Sequence, residues 1–156
     1  MSKVETVEVA AQPFVGLRMT TSGDPQAIGS AMAPGFVALL GHLAERELEM
    51  AGMPLAVYHD FSPDQTTFEV GLPINAADAD RAGDGDIAVG ETPGGRAVKA
   101  LHIGPYAKLG ETHGAIMTFM ADRGLQPAGP SWEVYVDDPG DADESTLRTE
   151  IYYPIA

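Results

Sequence analysis

One carboxylate in this 156-residue chain stands out by its neighbours: Glu133, in the stretch SWEVYVDD at residues 131–138. The stretch alternates aromatic and β-branched residues as a strand does. A glutamate between Trp132 and Val134 is then either a solvated surface group or the centre of a cavity. Tyr135, two residues on, shares its face of the strand. A carboxylate ringed by aromatic side chains is poorly hydrated, and a cation relieves that cost. Rings beside it add cation–π attraction of about 0.5–2 kcal/mol each. The same carboxylate can also serve as a general acid or base. Receptor and enzyme chemistry are both open to it.

The other chemically competent residues are fewer. His102 sits on a strand, where a groove-facing imidazole would tune Glu133, although a surface histidine is the commoner reading. His113 falls on the apolar side of a helix and reads as a core or boundary histidine. His42 and His59 form no metal-binding spacing with these two. Cysteine is absent, which removes disulfides, thiolate metal sites and cysteine nucleophiles. GETPGGR lacks the phosphate-loop pattern, and the aspartates of NAADADRAGDGD lack the spacing of a calcium loop. No metal and no cofactor are expected. The formal charge is −14, which repels nucleic-acid backbones and favours cationic ligands. The first residues lack a signal-peptide core, and no run reads as a membrane span. A cytoplasmic protein without membrane or direct nucleic-acid binding is expected.

The elements that must position Glu133 come in two similar sets. FVGLRM reads as a strand, residues 34–51 as an amphipathic helix, and LAVYHDF and TFEVGLPI as two strands joined by SPDQ. RAVKALHIG, a helix over residues 105–123, WEVYVDD and LRTEIYYPI repeat that order, with an acidic loop, PGDADEST, between the last two strands. LAVYHD lies over WEVYVD, TFEVGLPI over RTEIYYPI, and GLRM over ALHI. The reading is one α+β domain of two strand–helix–strand–strand repeats with pseudo-twofold symmetry. Residues 4–75 and 88–156 form the repeats, and 76–87 the linker. Its antiparallel sheet carries the helices on one face and leaves a ligand groove on the other. Exposed sheet edges leave room for a homodimer.

Strand parity assigns faces. Trp132, Val134 and Val136 form one set, Glu133 and Tyr135 the other. On the last strand Thr149, Ile151 and Tyr153 oppose Arg148, Glu150 and Tyr152. If the β-branched sets lie under the helices, Glu133, Tyr135, Glu150 and Tyr152 face the groove and Trp132 is core. In the first repeat Ala56 takes the place of Glu133, so the fold does not require the carboxylate. Tyr58 matches Tyr135, and Tyr106 follows Gly104-Pro105 at a helix start. The candidate ligand-binding set is Glu133, Tyr135, Tyr152, Tyr106, Tyr58 and His102. Glu133 and Tyr135 are also the catalytic candidates, should the chain be an enzyme.

The segments LHIGPYAKLGETHGAI (residues 101–116), GPSWEVYVDDP (129–139) and LRTEIYYPI (147–155) resemble the GyrI-like small-molecule-binding domains, which also serve as effector-binding domains of AraC- and MerR-type regulators. The resemblance implies two strand–helix–strand–strand units around a cleft, with Glu133 as the cleft glutamate. It implies a stand-alone member without a DNA-binding domain. It further implies one of three roles: multidrug-type binding or sequestration of aromatic or apolar ligands, cationic ones among them; hydrolytic opening of cyclopropane rings in DNA-alkylating compounds; or interaction with DNA gyrase.

Overall fold

Asp24 and Pro25 begin the first long helix well before the periodicity of residues 34–51 announces it. The Asp24 carboxylate accepts the backbone N–H of Gln26 at 3.1 Å, and Pro25 takes the first helical position, where its missing N–H costs nothing. Pro34, which reads as a start, lies inside the helix, and the helix ends at Glu45 rather than at Ala51. In this computed structural model, residues 3–62, 64–137 and 143–156 are described. Pro63 of the first strand turn and residues 138–142 of the acidic loop lie outside them.

The strands and helices are β1 (Val4–Val9), β2 (Pro13–Thr21), α1 (Pro25–Glu45), β3 (Leu55–Phe61), β4 (Thr66–Pro73), the short α2 (Ala79–Ala82), β5 (Ala88–Glu91), β6 (Gly95–Ile103), α3 (Leu109–Asp122), β7 (Ser131–Tyr135) and β8 (Arg148–Pro154). They form two compact units, Ala11–Thr92 and Met1–Ala10 with Pro93–Ala156. The α+β class and the strand–helix–strand–strand repeats of the sequence reading are what form. The edges differ: β1 joins the second unit by pairing with β6, and β5 joins the first by pairing with β2.

Within the first unit the antiparallel order is β3-β4-β2-β5. Helix α1 lies on β2 and β4, and Ile28, Leu39 and Leu43 bury against Val15, Phe68, Val70 and Leu72. Residues 26–45 have the length and mean hydropathy, 1.5, of a membrane-crossing helix, which the sequence reading missed; its inward stripe has the packing of a core helix. Within the second unit the order is β1-β6-β8-β7. Helix α3 lies on β6, and Ile116 and Met120 bury against Val98, Ala100 and Ile151.

The two units repeat at the level of register. Glu133 pairs with Ile151 as Ala56 pairs with Val70, and Tyr135 pairs with Thr149 as Tyr58 pairs with Phe68. The first strands correct the alignment by one residue. His102 pairs with Thr149 and Met19 with Phe68, so Met19, not Arg18, is the counterpart of His102. A one-residue slip moves every side chain to the opposite face.

Candidate functional site

Directly paired residues on antiparallel strands point to the same face. Glu133 pairs with Ile151, and Ile151 packs in the core beneath α3. Glu133 therefore faces the helix, together with Tyr135, Thr149 and Tyr153. This overturns the facing assigned to β7, whereas on β8 Thr149, Ile151 and Tyr153 lie under the helix as expected. Trp132 and Tyr152, paired on the opposite face, stack with ring centroids 4.9 Å apart and planes 9° apart. The parity was right on each strand; what failed was the choice, on β7, of which set lies under the helix. A large aromatic set and a β-branched set both qualify as core, and only the inter-strand register separates them.

The helix that covers Glu133 supplies its partner. His113 Nε2 lies 2.7 Å from Glu133 Oε2, and its Nδ1 lies 2.6 Å from the Tyr153 hydroxyl. The Tyr135 hydroxyl donates to Glu133 Oε1 at 2.8 Å. Glu133 is buried, while His113, Tyr135 and Tyr153 are partly exposed. Burial, with the charge of Glu133 nearby, pushes the Tyr153 phenol up to about 12, and a hydrogen bond to Ser131 works against that rise. The four side chains form one chain of polar contacts, Tyr135–Glu133–His113–Tyr153. The sequence reading took His113 as a core or boundary histidine and Tyr153 as part of the helix-facing set, and gave neither a place in the site. Their signal was available only as pairing: His113 is 20 residues from Glu133 in sequence.

The Gly-Pro-Tyr turn is built onto the same face. Gly104 has φ +135°, which disfavours a side chain, and its N–H donates to Leu147 O at 2.8 Å. The Pro105 carbonyl accepts from His102 Nε2 at 3.1 Å, and His102 Nδ1 lies 2.7 Å from the Thr112 hydroxyl. His102 is thus a buried tie between β6, the turn and α3, with both ring nitrogens engaged, and not a surface histidine. The turn delivers Tyr106, whose ring meets Tyr135 edge-on at 5.7 Å. Thr149, in the row between His102 and Tyr135, is fully buried, and its Oγ1 finds no partner among the described residues.

The remaining candidates stand elsewhere. On the face away from α3, the Tyr152 hydroxyl donates to Glu150 at 3.0 Å, and Lys99 pairs with Glu150 at 3.3 Å and lies over the Tyr152 ring. Burial and Glu150 raise the Tyr152 phenol. Tyr58 belongs to the first unit, where its ring tilts against Phe68 at 6.2 Å. No group of three or more metal-ligating side chains occurs among the described residues.

Under α3 the second unit thus holds a buried carboxylate with an imidazole and a phenol on its two oxygens, and a second ring, Tyr106, against that phenol. The chain belongs to the GyrI-like small-molecule-binding domain family, whose model matches residues 2–156. Its fold is similar to that of the EcmrR C-terminal domain, with a TM-score of 0.85, 19% identity, and coverage of 100% of this chain and 98% of that one. Against EcmrR in its complex with DNA the chain spans 57% of the other protein, at 20% identity and a TM-score of 0.82, with 99% of this chain covered. A hydrolase from Listeria innocua follows at 14% identity and a TM-score of 0.66, covering 99% of this chain and 92% of that one. SAV2435, in a structure bound to tetraphenylphosphonium, matches at 13% identity and a TM-score of 0.64, covering 99% and 94%. No curated protein sequence matches the chain.

Proposed function

We propose that this protein binds aromatic, apolar, positively charged small molecules, with Glu133 as the anionic anchor and Tyr106 and Tyr135 as part of the aromatic wall. The observation that carries the reading is the Glu133 side chain, 3% exposed and held between His113 and the Tyr135 hydroxyl. Placing a carboxylate under a helix is costly unless something cationic or hydrogen-bonding meets it. The acidic balance of the chain, −14, draws cations toward it. The tetraphenylphosphonium bound to SAV2435 is a ligand of this chemical class on a similar fold.

The test is a fluorescence titration of the chain with tetraphenylphosphonium, repeated in Glu133→Gln. Saturable binding weakened at least about tenfold, or ~1.4 kcal/mol, by the loss of charge supports the reading. Equal affinity in both proteins removes it.

A second reading, opening of a strained electrophilic ring by water, is favoured by the Tyr135–Glu133 pair, which brings a phenol donor and a carboxylate base into contact. Mass spectrometry of such compounds after incubation tests it. A product heavier by one water, formed only with Glu133 intact, makes the site hydrolytic.

A further inference from the structure

The imidazole is the more exposed member of the His113–Glu133 pair. The His113 side chain is 20% exposed and the Glu133 side chain only 3%. The imidazole already occupies one carboxylate oxygen, and Tyr135 the other. Two protonation states of His113 fit the same heavy-atom positions. In the neutral state Nε2–H donates to Glu133, and Nδ1 accepts from the Tyr153 hydroxyl. In the charged state Nδ1–H donates to that hydroxyl oxygen, and the phenol O–H rotates away from the ring. Only a group that both donates and accepts can stand at that position, and a phenol does so as long as it stays protonated. The high pKa of Tyr153 keeps it so.

The surroundings leave His113 coupled to Glu133. From β7 it faces Glu133, with Tyr135 behind, and from β8 Tyr153. On β6 the titratable group beneath α3 is His102, whose nitrogens are taken by Thr112 and Pro105. Arg96 of β6 and its pairing partner Glu8 of β1 are exposed at the far end of that sheet face. On α3 the positions one turn away are Leu109, Gly110, Ile116 and Met117, all uncharged.

We infer that His113 is the resident cation of the site: protonated, it neutralises Glu133, and a ligand's positive charge is accepted only as His113 gives up its proton. This rests on the reading of Glu133 as the anionic anchor and adds its regulation. Binding of a cation then releases a proton. Affinity for cations rises with pH while the imidazole is charged, by up to about tenfold per pH unit, and levels off once it is neutral. Neutral aromatic ligands escape this coupling, so His113 sets the charge preference of the site.

The experiment is calorimetric titration of the full chain with tetraphenylphosphonium between about pH 5 and pH 8. Two buffers of different ionisation enthalpy count the protons, and triphenylphosphine oxide is the neutral control. His113→Gln keeps an N–H for Glu133 but has no charge to lose. We expect release approaching one proton per cation at the acid end, a flat profile for the neutral control, and in His113→Gln a flat profile with tighter cation binding at the acid end. Cation binding that is pH-independent and proton-neutral in the intact chain overturns the inference and leaves the anionic anchor standing. No cation binding at any pH overturns both. If His113→Gln does not fold, as judged by circular dichroism, the proton count in the intact chain still decides.

Discussion

On β7 and β8 the row Glu133–Ile151 occupies the place that Ala56–Val70 holds on β3 and β4, and the rows around it diverge in the same sense. Tyr153 stands where the first unit has Leu72, Thr149 where it has Phe68, and His102 where it has Met19. The covering helices follow suit. A Cβ on Gly35 of α1 would run into the Met19 thioether, whereas in the second unit Thr112 hydrogen-bonds His102. One face is filled by thioether, aromatic and aliphatic groups, buried or partly buried, with the Tyr58 phenol the polar group among its strand residues. The other holds a carboxylate, two imidazoles, two phenols and two threonines. The same backbone ladder thus carries a packed core in one unit and a polar network in the other. The lesson is that the strand pairing itself does not call for the network, since the equivalent row of the first unit forms with Ala56 and Val70.

The comparison can be broken most severely by moving the carboxylate. Ala56→Glu places an unpaired acid at a fully buried position. It should cost about 4–7 kcal/mol, most of an ordinary domain's stability, and soluble yield and urea unfolding would show it. The reverse change, Glu133→Ala, strips His113 and Tyr135 of their acceptor and should cost about 3 kcal/mol. Converting the network wholesale sharpens the point. The triple variant Glu133→Ala, His113→Phe, Tyr153→Leu gives the second unit the apolar character of the first, and should be more stable than Glu133→Ala alone while losing cation binding. If its urea midpoint falls below that of the single variant, the two faces are not interchangeable.

Smaller effects test the supporting bonds. Thr112→Val leaves the buried His102 Nδ1 unpaired and should cost about 1–3 kcal/mol in urea denaturation. The Tyr153 phenol has a folded pKa raised from 10.0 to about 12. A raised pKa means the folded state favours the protonated form. Its stabilising share is complete below pH 10 and is lost as pH climbs to about 12, in all about 1–2 kcal/mol after solvent screening. Phenolate absorbance followed alongside unfolding should show the loss in that window. The mildest test lies on α1. Gly41→Ala meets no atom within 4 Å and should stabilise by about 1 kcal/mol. Gly35→Ala meets Val70 Cγ2 at 2.8 Å as well as Met19, and should lose that gain through overpacking. A stabilising Gly35→Ala would show that the first unit's core yields more readily than its burial implies.

Much of the architecture was legible in the chain because it depends on local pattern. Alternation marked β3, β4, β6, β7 and β8, and the repeated order of elements marked the two units. The misreadings were of two kinds. Pro34 masked a helix that Asp24-Pro25 had already begun, since a proline inside a helix and one at its start look alike without the cap geometry. The alignment of GLRM with ALHI slipped by one because four short residues carry too little pattern to fix a register. Within the site, Glu133, Tyr135 and Tyr106 were visible by type and position. His113 was dismissed, Tyr153 was assigned to the core, and Tyr152 was preferred in its place. All three followed from setting Glu133 on the face away from α3, when β7 turns it to the same side as Tyr153.

The sequence by itself determined that Glu133 and Tyr135 share a strand face, and that the matching position in the other repeat is an alanine. Alternation along a strand and homology between repeats are properties of the chain alone. Only the tertiary structure decided that this face lies beneath α3, that His113 and Tyr153 complete the network, and that Tyr152 stacks with Trp132 on the other side. The physical reason is that facing is fixed by pairing and packing across segments. The pairing of β7 with β8 and the covering by α3 join residues far apart in sequence, and no local pattern encodes which of two plausible apolar sets the helix buries.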